Sequence, residues 1–185
     1  MTLFDQAFEN ILKVEGESYT DHALDKGGPT KFGITLKTFN TFTGVNAGAN
    51  VIENMTRATA KTIYKAFFWH RLQLDRVGAT HPTIALVYFD QAVNRGHFGA
   101  TRLIQTAINK YYGRDVVLDD GILGEKTLSE IEKIPTIDLG LNIFKAAQTG
   151  YIRIVKNNPD QIVFLEGWIN RTHELLNQII KGVSL

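Results

Sequence analysis

A glutamate where a helix should end, followed by an aspartate and a threonine on a glycine-rich ribbon, are the residues best suited to chemistry here. Glu15 closes the first helical pattern, and Gly16 follows as a stop. The dipole at a helix C-terminus disfavours negative charge and so raises a carboxyl pKa, and burial against aromatics raises it further. A carboxylic acid that stays protonated near neutral pH is what general-acid catalysis needs. The ribbon is Asp25-Lys26-Gly27-Gly28-Pro29-Thr30-Lys31-Phe32-Gly33-Ile34-Thr35. Its glycines let the backbone turn sharply and approach a ligand. One carboxylic acid to protonate a leaving oxygen, with a second carboxylate and a hydroxyl to handle water, is the equipment of glycoside hydrolysis. Each residue also has a plainer reading. Glu15 can be a surface glutamate at a frayed helix end, and Asp25 can cap a turn in a hairpin.

The elements that must position these residues are mostly helical. Thr2 is a cap for a first helix whose apolar face is Phe4, Ala7, Phe8, Ile11 and Leu12. Residues 15–35 break any helix and read as a small β-hairpin or irregular lobe. Thr56 caps a second helix carrying Ala60, Ile63, Tyr64, Phe67 and Phe68. Pro82 opens a dense apolar run over residues 84–93 that Asn94-Arg95-Gly96 ends. Further helices are expected over residues 99–111, after Gly124 through Ile131, and over residues 138–155 and 160–180. Asp119-Asp120-Gly121 reads as a turn.

Composition narrows the class. The chain has 185 residues, 44% of them hydrophobic, and a net charge of +1. At this size about 70% of the unfolded surface is buried on folding, enough for a substantial core. Near-neutral charge argues against an electrostatic nucleic-acid binder. With no cysteine there is no disulfide framework, thiolate nucleophile or cysteine zinc site. His22, His70, His81, His97 and His173 show no ligand spacing, and Asp119-Asp120-Gly121 with Glu125 lacks the alternating oxygens of a calcium loop. No metal or cofactor is expected. No apolar run approaches the roughly 20 residues of a bilayer span, so membrane insertion is not expected either. The start, MTLFDQAFENILKVEG, is acidic and polar where a signal peptide is basic and then apolar. If the protein works outside the cytosol, a route other than a standard signal peptide is expected to take it there.

Glu15-Gly16, Tyr19 and Asp25-x-Gly27-Gly28-x-Thr30-x-x-Gly33-Ile34-Thr35 resemble the pattern of glycoside hydrolase family 108, whose members are N-acetylmuramidases. Met55-Thr56, Ala60, Ile63-Tyr64 and Phe68-Trp69 resemble the stretch that follows in that family. Phe89-Asp90-Gln91-Ala92-Val93-Asn94-Arg95-Gly96 is similar to its F-D-x-A-V-N-x-G helix end. Leu103-Ile104-Gln105 and Asp120-Gly121-Ile122-Leu123-Gly124-Glu125-Lys126-Thr127 resemble the peptidoglycan-binding-like region that usually follows. Phe164 to Arg171 is similar to its closing F-x-x-G-W-x-x-R.

The resemblance implies a mostly α, lysozyme-like helical fold with a small β-hairpin lobe near the N-terminus. It implies a phage-type endolysin cutting the β-1,4 bond between N-acetylmuramic acid and N-acetylglucosamine, with Glu15 the catalytic acid. It implies Asp25 as second carboxylate and Thr30 as the hydroxyl that positions water, as in phage-type lysozymes. Glu17-Ser18 replaces the family's second glycine and adds a residue before Tyr19, so Glu17 and Asp21 stand as rivals to Asp25. An inverting reaction needs the two carboxyl groups roughly 6.5–9.5 Å apart, a retaining one about 5 Å. Tyr19, Phe32 and Trp69 are candidates to stack on sugar faces or to be core, and Thr35, on the same ribbon, is a further substrate-binding candidate. Asp90 and Asn94, one helical turn apart, either line a substrate cleft or end a buried helix. Arg171 is expected to pair with a carboxylate. Residues 1–97 are read as the muramidase region and 98–185 as a helical peptidoglycan-binding-like region packed against it. The expected partner of this monomer is the peptidoglycan glycan strand. A non-catalytic wall-binding or secretion-associated module with the same fold is the alternative.

Overall fold

The structure is a computed structural model that describes residues 1–21 and 28–183. Asp25 and His22 lie outside the described residues. The chain divides into two compact units, Met1–Arg71 and Leu72–Leu185.

In the first unit, α1 (Leu3–Glu15) starts at a capping box in which the Thr2 hydroxyl accepts from the Asp5 amide and Asp5 accepts from the Thr2 amide. Gly16, at φ 78°, ends it as expected. Phe4, Ala7, Phe8, Ile11 and Leu12 form its buried stripe. A two-residue antiparallel pair follows, β1 (Thr30–Lys31) and β2 (Ile34–Thr35), in register Thr30 to Thr35 and Lys31 to Ile34. Two short helices then appear that the sequence pattern did not announce, α2 (Leu36–Thr43) and α3 (Ala49–Glu53). They are too short for periodicity to show. Thr56 caps α4 (Arg57–Ile63), which widens into a π-helical segment, Tyr64–His70. Phe4, Phe8, Tyr64, Phe68 and Trp69 are buried together. Phe4 meets Trp69 edge-on at 5.5 Å and Phe8 meets Tyr64 at 5.7 Å between ring centres.

The second unit is helical among its described residues. The sequence pattern did not announce α5 (Leu74–Thr80) either. It leads into α6 (Pro82–Tyr112), which opens on the proline and breaks at Gly96, where φ is 72° and ψ 167°. Residues 82–95 and 97–112 are thus two helices end to end, as Asn94-Arg95-Gly96 predicts. Then come α7 (Glu125–Lys133), α8 (Thr136–Asn157) and α9 (Leu165–Val183). The last expected helix starts late, because residues Pro159–Phe164 form a 3-10 segment behind a proline. Ile84, Tyr88 and Phe89 of α6, Leu139 and Ile143 of α8, and Leu175 and Ile179 of α9 fill the core. The mostly α, lysozyme-like fold with a small hairpin near the N-terminus is what the chain adopts.

Candidate functional site

Glu15 follows Phe8, Ile11 and Leu12 at seven, four and three residues, so it continues the buried stripe of α1 to the helix end. The stripe leaves the core there. Glu15 is exposed, as is Val14 beside it. This corrects the expectation that aromatic burial surrounds the carboxyl. Its aliphatic stem is nonetheless held close. A Cβ built on Gly33 would stand 2.9 Å from Glu15 Cβ, 3.0 Å from Glu15 Cγ and 2.7 Å from the Tyr64 hydroxyl oxygen. Only glycine fits at that point, and its φ of 73° suits glycine as well.

The turn of the hairpin is Phe32-Gly33, and Phe32 itself has φ 53°. Left-handed backbone is unusual for a bulky residue and must be held by its surroundings. Two groups hold it. The Phe32 side chain is buried, only 6% exposed, and the Tyr64 hydroxyl donates to the Phe32 carbonyl at 2.9 Å. Tyr64 is itself buried, and burial together with the nearby Glu15 carboxylate pushes its hydroxyl pKa far up. It therefore remains a donor throughout the working pH range.

The other ribbon residues are engaged as follows. Thr30 donates its hydroxyl to the Gly28 carbonyl at 3.0 Å, and its backbone exchanges hydrogen bonds with Thr20. The Thr35 hydroxyl caps α2 by accepting from the Thr38 amide at 3.1 Å. The Tyr19 hydroxyl donates to Asp21 at 3.2 Å, and partial burial and this carboxylate push the Tyr19 pKa up. Glu17 pairs with Arg57 Nε at 3.3 Å, and Arg57 also holds Glu9 at 2.6 Å. Phe32 and Trp69, the second completely buried, thus have little or no surface to offer a sugar face. An open cavity of about 770 Å³ lies beside the ribbon, lined by Gly28, Pro29, Lys37, Asn40 and Asn46 among others.

The second unit joins its motifs to one another. Arg171 Nη2 donates to Asp90 Oδ1 at 3.2 Å, the carboxylate pairing expected for this arginine, and Gln91 donates to Asp90 Oδ2 at 3.0 Å. Asn94 is exposed and reaches the Tyr151 hydroxyl at 3.5 Å. Arg95 lies over the Tyr151 ring at 4.4 Å, and Tyr151 stacks on Trp168 at 5.0 Å and 12°. Desolvation pulls the Arg95 pKa down from its usual value. Gln105, 1% exposed, clamps the Asp120-Gly121-Ile122 turn. It accepts from the Gly121 amide at 2.7 Å and donates to Asp120 at 2.9 Å and to the Ile122 carbonyl at 3.1 Å. Among the described residues no group of three or more His, Asp or Glu is placed to hold a metal ion.

Sequence reasoning missed Tyr64 as a neighbour of Glu15. Its apolar spacing marked it as core, and nothing in the spacing ties it to a residue far upstream. The pairing of Glu17 with Arg57 is equally invisible in the one-dimensional pattern.

Residues 8–96 match the family model described as Glycosyl hydrolase 108. That stretch runs from inside α1 through the ribbon to the Gly96 break, and it therefore carries a glycosyl hydrolase sequence pattern. Among solved structures, the chain is similar to that titled "Structure of Brucella abortus SagA". Identity is 24%, the TM-score is 0.78, and the match covers 96% of this chain and 94% of that one. At this identity the likeness carries the fold. No curated protein matches the chain.

Proposed function

We propose that this protein is a peptidoglycan hydrolase, an N-acetylmuramidase that cleaves the β-1,4 bond between N-acetylmuramic acid and N-acetylglucosamine. The observation that carries the reading is the glycosyl hydrolase 108 match over a stretch containing Glu15 at a helix end beside the glycine-rich hairpin. Glu15 is the general acid. It gives its proton to the bridging oxygen as the bond to the anomeric carbon breaks, and the residue lies at the protein surface, where a large polymer can approach.

Asp25 is the second carboxylate and takes a proton from the attacking water. Thr30 helps to aim that water. Its own hydrogen is committed to the Gly28 carbonyl, so toward water Thr30 can only accept. A water that donates one hydrogen to Thr30 and the other to a carboxylate presents its lone pair to the anomeric carbon. Glu17 and Asp21 are weaker rivals, because Arg57 and the Tyr19 hydroxyl already engage them. The cavity beside Gly28 and Pro29, with Lys37, Asn40 and Asn46 on its wall, gives a glycan polar partners next to the ribbon.

In this reading residues 1–97 are the catalytic region and residues 98–185 a helical peptidoglycan-binding-like region. The enzyme is an endolysin of phage type, monomeric, acting on the wall without a cofactor. The test is release of reducing ends from purified peptidoglycan by the wild type and by Glu15→Gln. Release by the wild type alone supports the reading. Equal release by both removes Glu15 from its role. Binding to insoluble wall without any sugar release favours the non-catalytic module.

A further inference from the structure

Three elements distant in sequence meet at one point of the first unit. They are the end of α1, the turn of the hairpin, and the first residue of the π-helical segment. The Gly33 α-carbon sits between the Glu15 stem and the Tyr64 hydroxyl so closely that no Cβ fits. The turn carries positive φ at two successive residues, 53° at Phe32 and 73° at Gly33. A turn of this kind keeps its shape only where its surroundings over-determine it. The Tyr64 hydroxyl supplies one such constraint, a buried hydrogen bond to the Phe32 carbonyl at 2.9 Å.

We propose that Tyr64 is a positioning residue for Glu15: its hydroxyl pins the Phe32-Gly33 turn against the Glu15 side chain and so fixes where the carboxyl group stands. This rests on the reading of Glu15 as the general acid. Tyr64 does not touch substrate in this account and acts only through the turn. Proton transfer needs the carboxyl group within hydrogen-bond reach of one oxygen, so where the Glu15 side chain stands decides whether it can act. Packing Gly33 against Glu15 Cβ and Cγ restricts where the side chain can turn. Placing the constraint on a buried aromatic gives it a rigid base, since the Tyr64 ring is itself locked by Phe8 at 5.7 Å and Phe68 at 5.5 Å. The raised pKa of the hydroxyl keeps this donor protonated wherever a carboxylic acid could work.

The decisive variant is Tyr64→Phe in the full chain, which removes one oxygen and keeps the ring in its packing. Three quantities are measured for wild type, Tyr64→Phe and Glu15→Gln. These are the thermal midpoint, kcat and KM on soluble glycan strands, and the carbon-13 shift of the Glu15 carboxyl carbon across a pH series. Tyr64→Phe is expected to fold, to lose kcat by about tenfold to a hundredfold, and to keep KM within about twofold. Its Glu15 resonance is expected to follow a different pH curve from the wild type. A kcat within twofold of wild type overturns the proposal. So does a loss that tracks only the unfolded fraction, or an unchanged Glu15 resonance. Gly33→Ala serves as the second variant, because its Cβ pushes on Glu15 and Tyr64 directly. It is expected to alter the same resonance, and an unaltered one counts against the proposal. The two readings fail separately. A wild type that releases no sugar defeats the muramidase assignment, while the resonance still decides whether Tyr64 and the turn position Glu15. An active wild type and a dead Glu15→Gln beside an unimpaired Tyr64→Phe defeat the positioning role alone.

Discussion

The Glu15 corner of the first unit and the Gln105 clamp of the second are both built from motif residues, and they use their polar groups in opposite ways. Gln105 is buried and directs its amide inward, to the Gly121 amide, the Asp120 carboxylate and the Ile122 carbonyl. Asp120 in turn accepts from the Ile122 amide and from Gln105, which holds its pKa below the usual range. Gln105 also reaches the Thr127 hydroxyl of α7 at 3.5 Å, so the cluster fixes the loop between α6 and α7. Glu15 stands at the exposed end of an apolar stripe, with its stem packed under Gly33. A motif polar group turned wholly inward is architecture. An exposed acidic residue whose stem is gripped is a candidate for chemistry.

The contrast is broken most directly at Glu15. Glu15→Gln is expected to reduce reducing-end release by about a thousandfold, the middle of the range for a general acid, with the thermal midpoint unchanged. A matching fall in the midpoint would make Glu15 structural and erase the difference between the two regions. Gln105→Ala should do the reverse. It leaves the Gly121 amide buried without its acceptor and opens a cavity, and is expected to cost about 2–4 kcal/mol in denaturant unfolding. Activity per folded molecule should survive.

A smaller effect sharpens the comparison through pH. Glu130 in α7 is 5% exposed and takes hydrogen bonds from Lys126, Lys133 and Tyr112. These partners, Lys126 first, bring its pKa from 4.5 to about 2. A depressed folded pKa contributes stability that is present above about 4.5 and is lost as pH falls toward about 2. The second unit should therefore lose about 1–2 kcal/mol over that window, with solvent screening of the lysines allowed for. Glu130→Gln should flatten the slope, as read by urea unfolding at a series of pH values. The smallest effect belongs to the capping box. Thr2→Ala is expected to cost about 1 kcal/mol and to lower the thermal midpoint without touching kcat.

Local chemistry made much of the fold legible. Thr2 and Gly16 bound α1, Thr56 caps α4, Pro82 opens α6 and Gly96 breaks it, because caps and breakers act within a few residues. The short helices α2, α3 and α5 escaped, since five to eight residues hold too few turns for a periodic stripe. The 3-10 segment at Pro159–Phe164 delayed α9 for a similar reason, a local proline overriding an apolar pattern. At the candidate site the residue types on the ribbon were readable, but their engagements were not. Arg57 claims Glu17, and Thr35 spends its hydroxyl on a helix cap.

The sequence by itself determined the helical composition, the breaks, and the presence of an acidic residue at the end of an apolar stripe. All of these follow from interactions between near neighbours along the chain. Only the tertiary structure decided that Gly33 lies on the Glu15 stem, that Tyr64 holds the turn which carries Gly33, and that Arg171 joins Asp90. Those contacts span from about twenty to about eighty residues. No local propensity encodes them; they come from packing the buried faces of separate elements against one another, which sets where their polar ends meet.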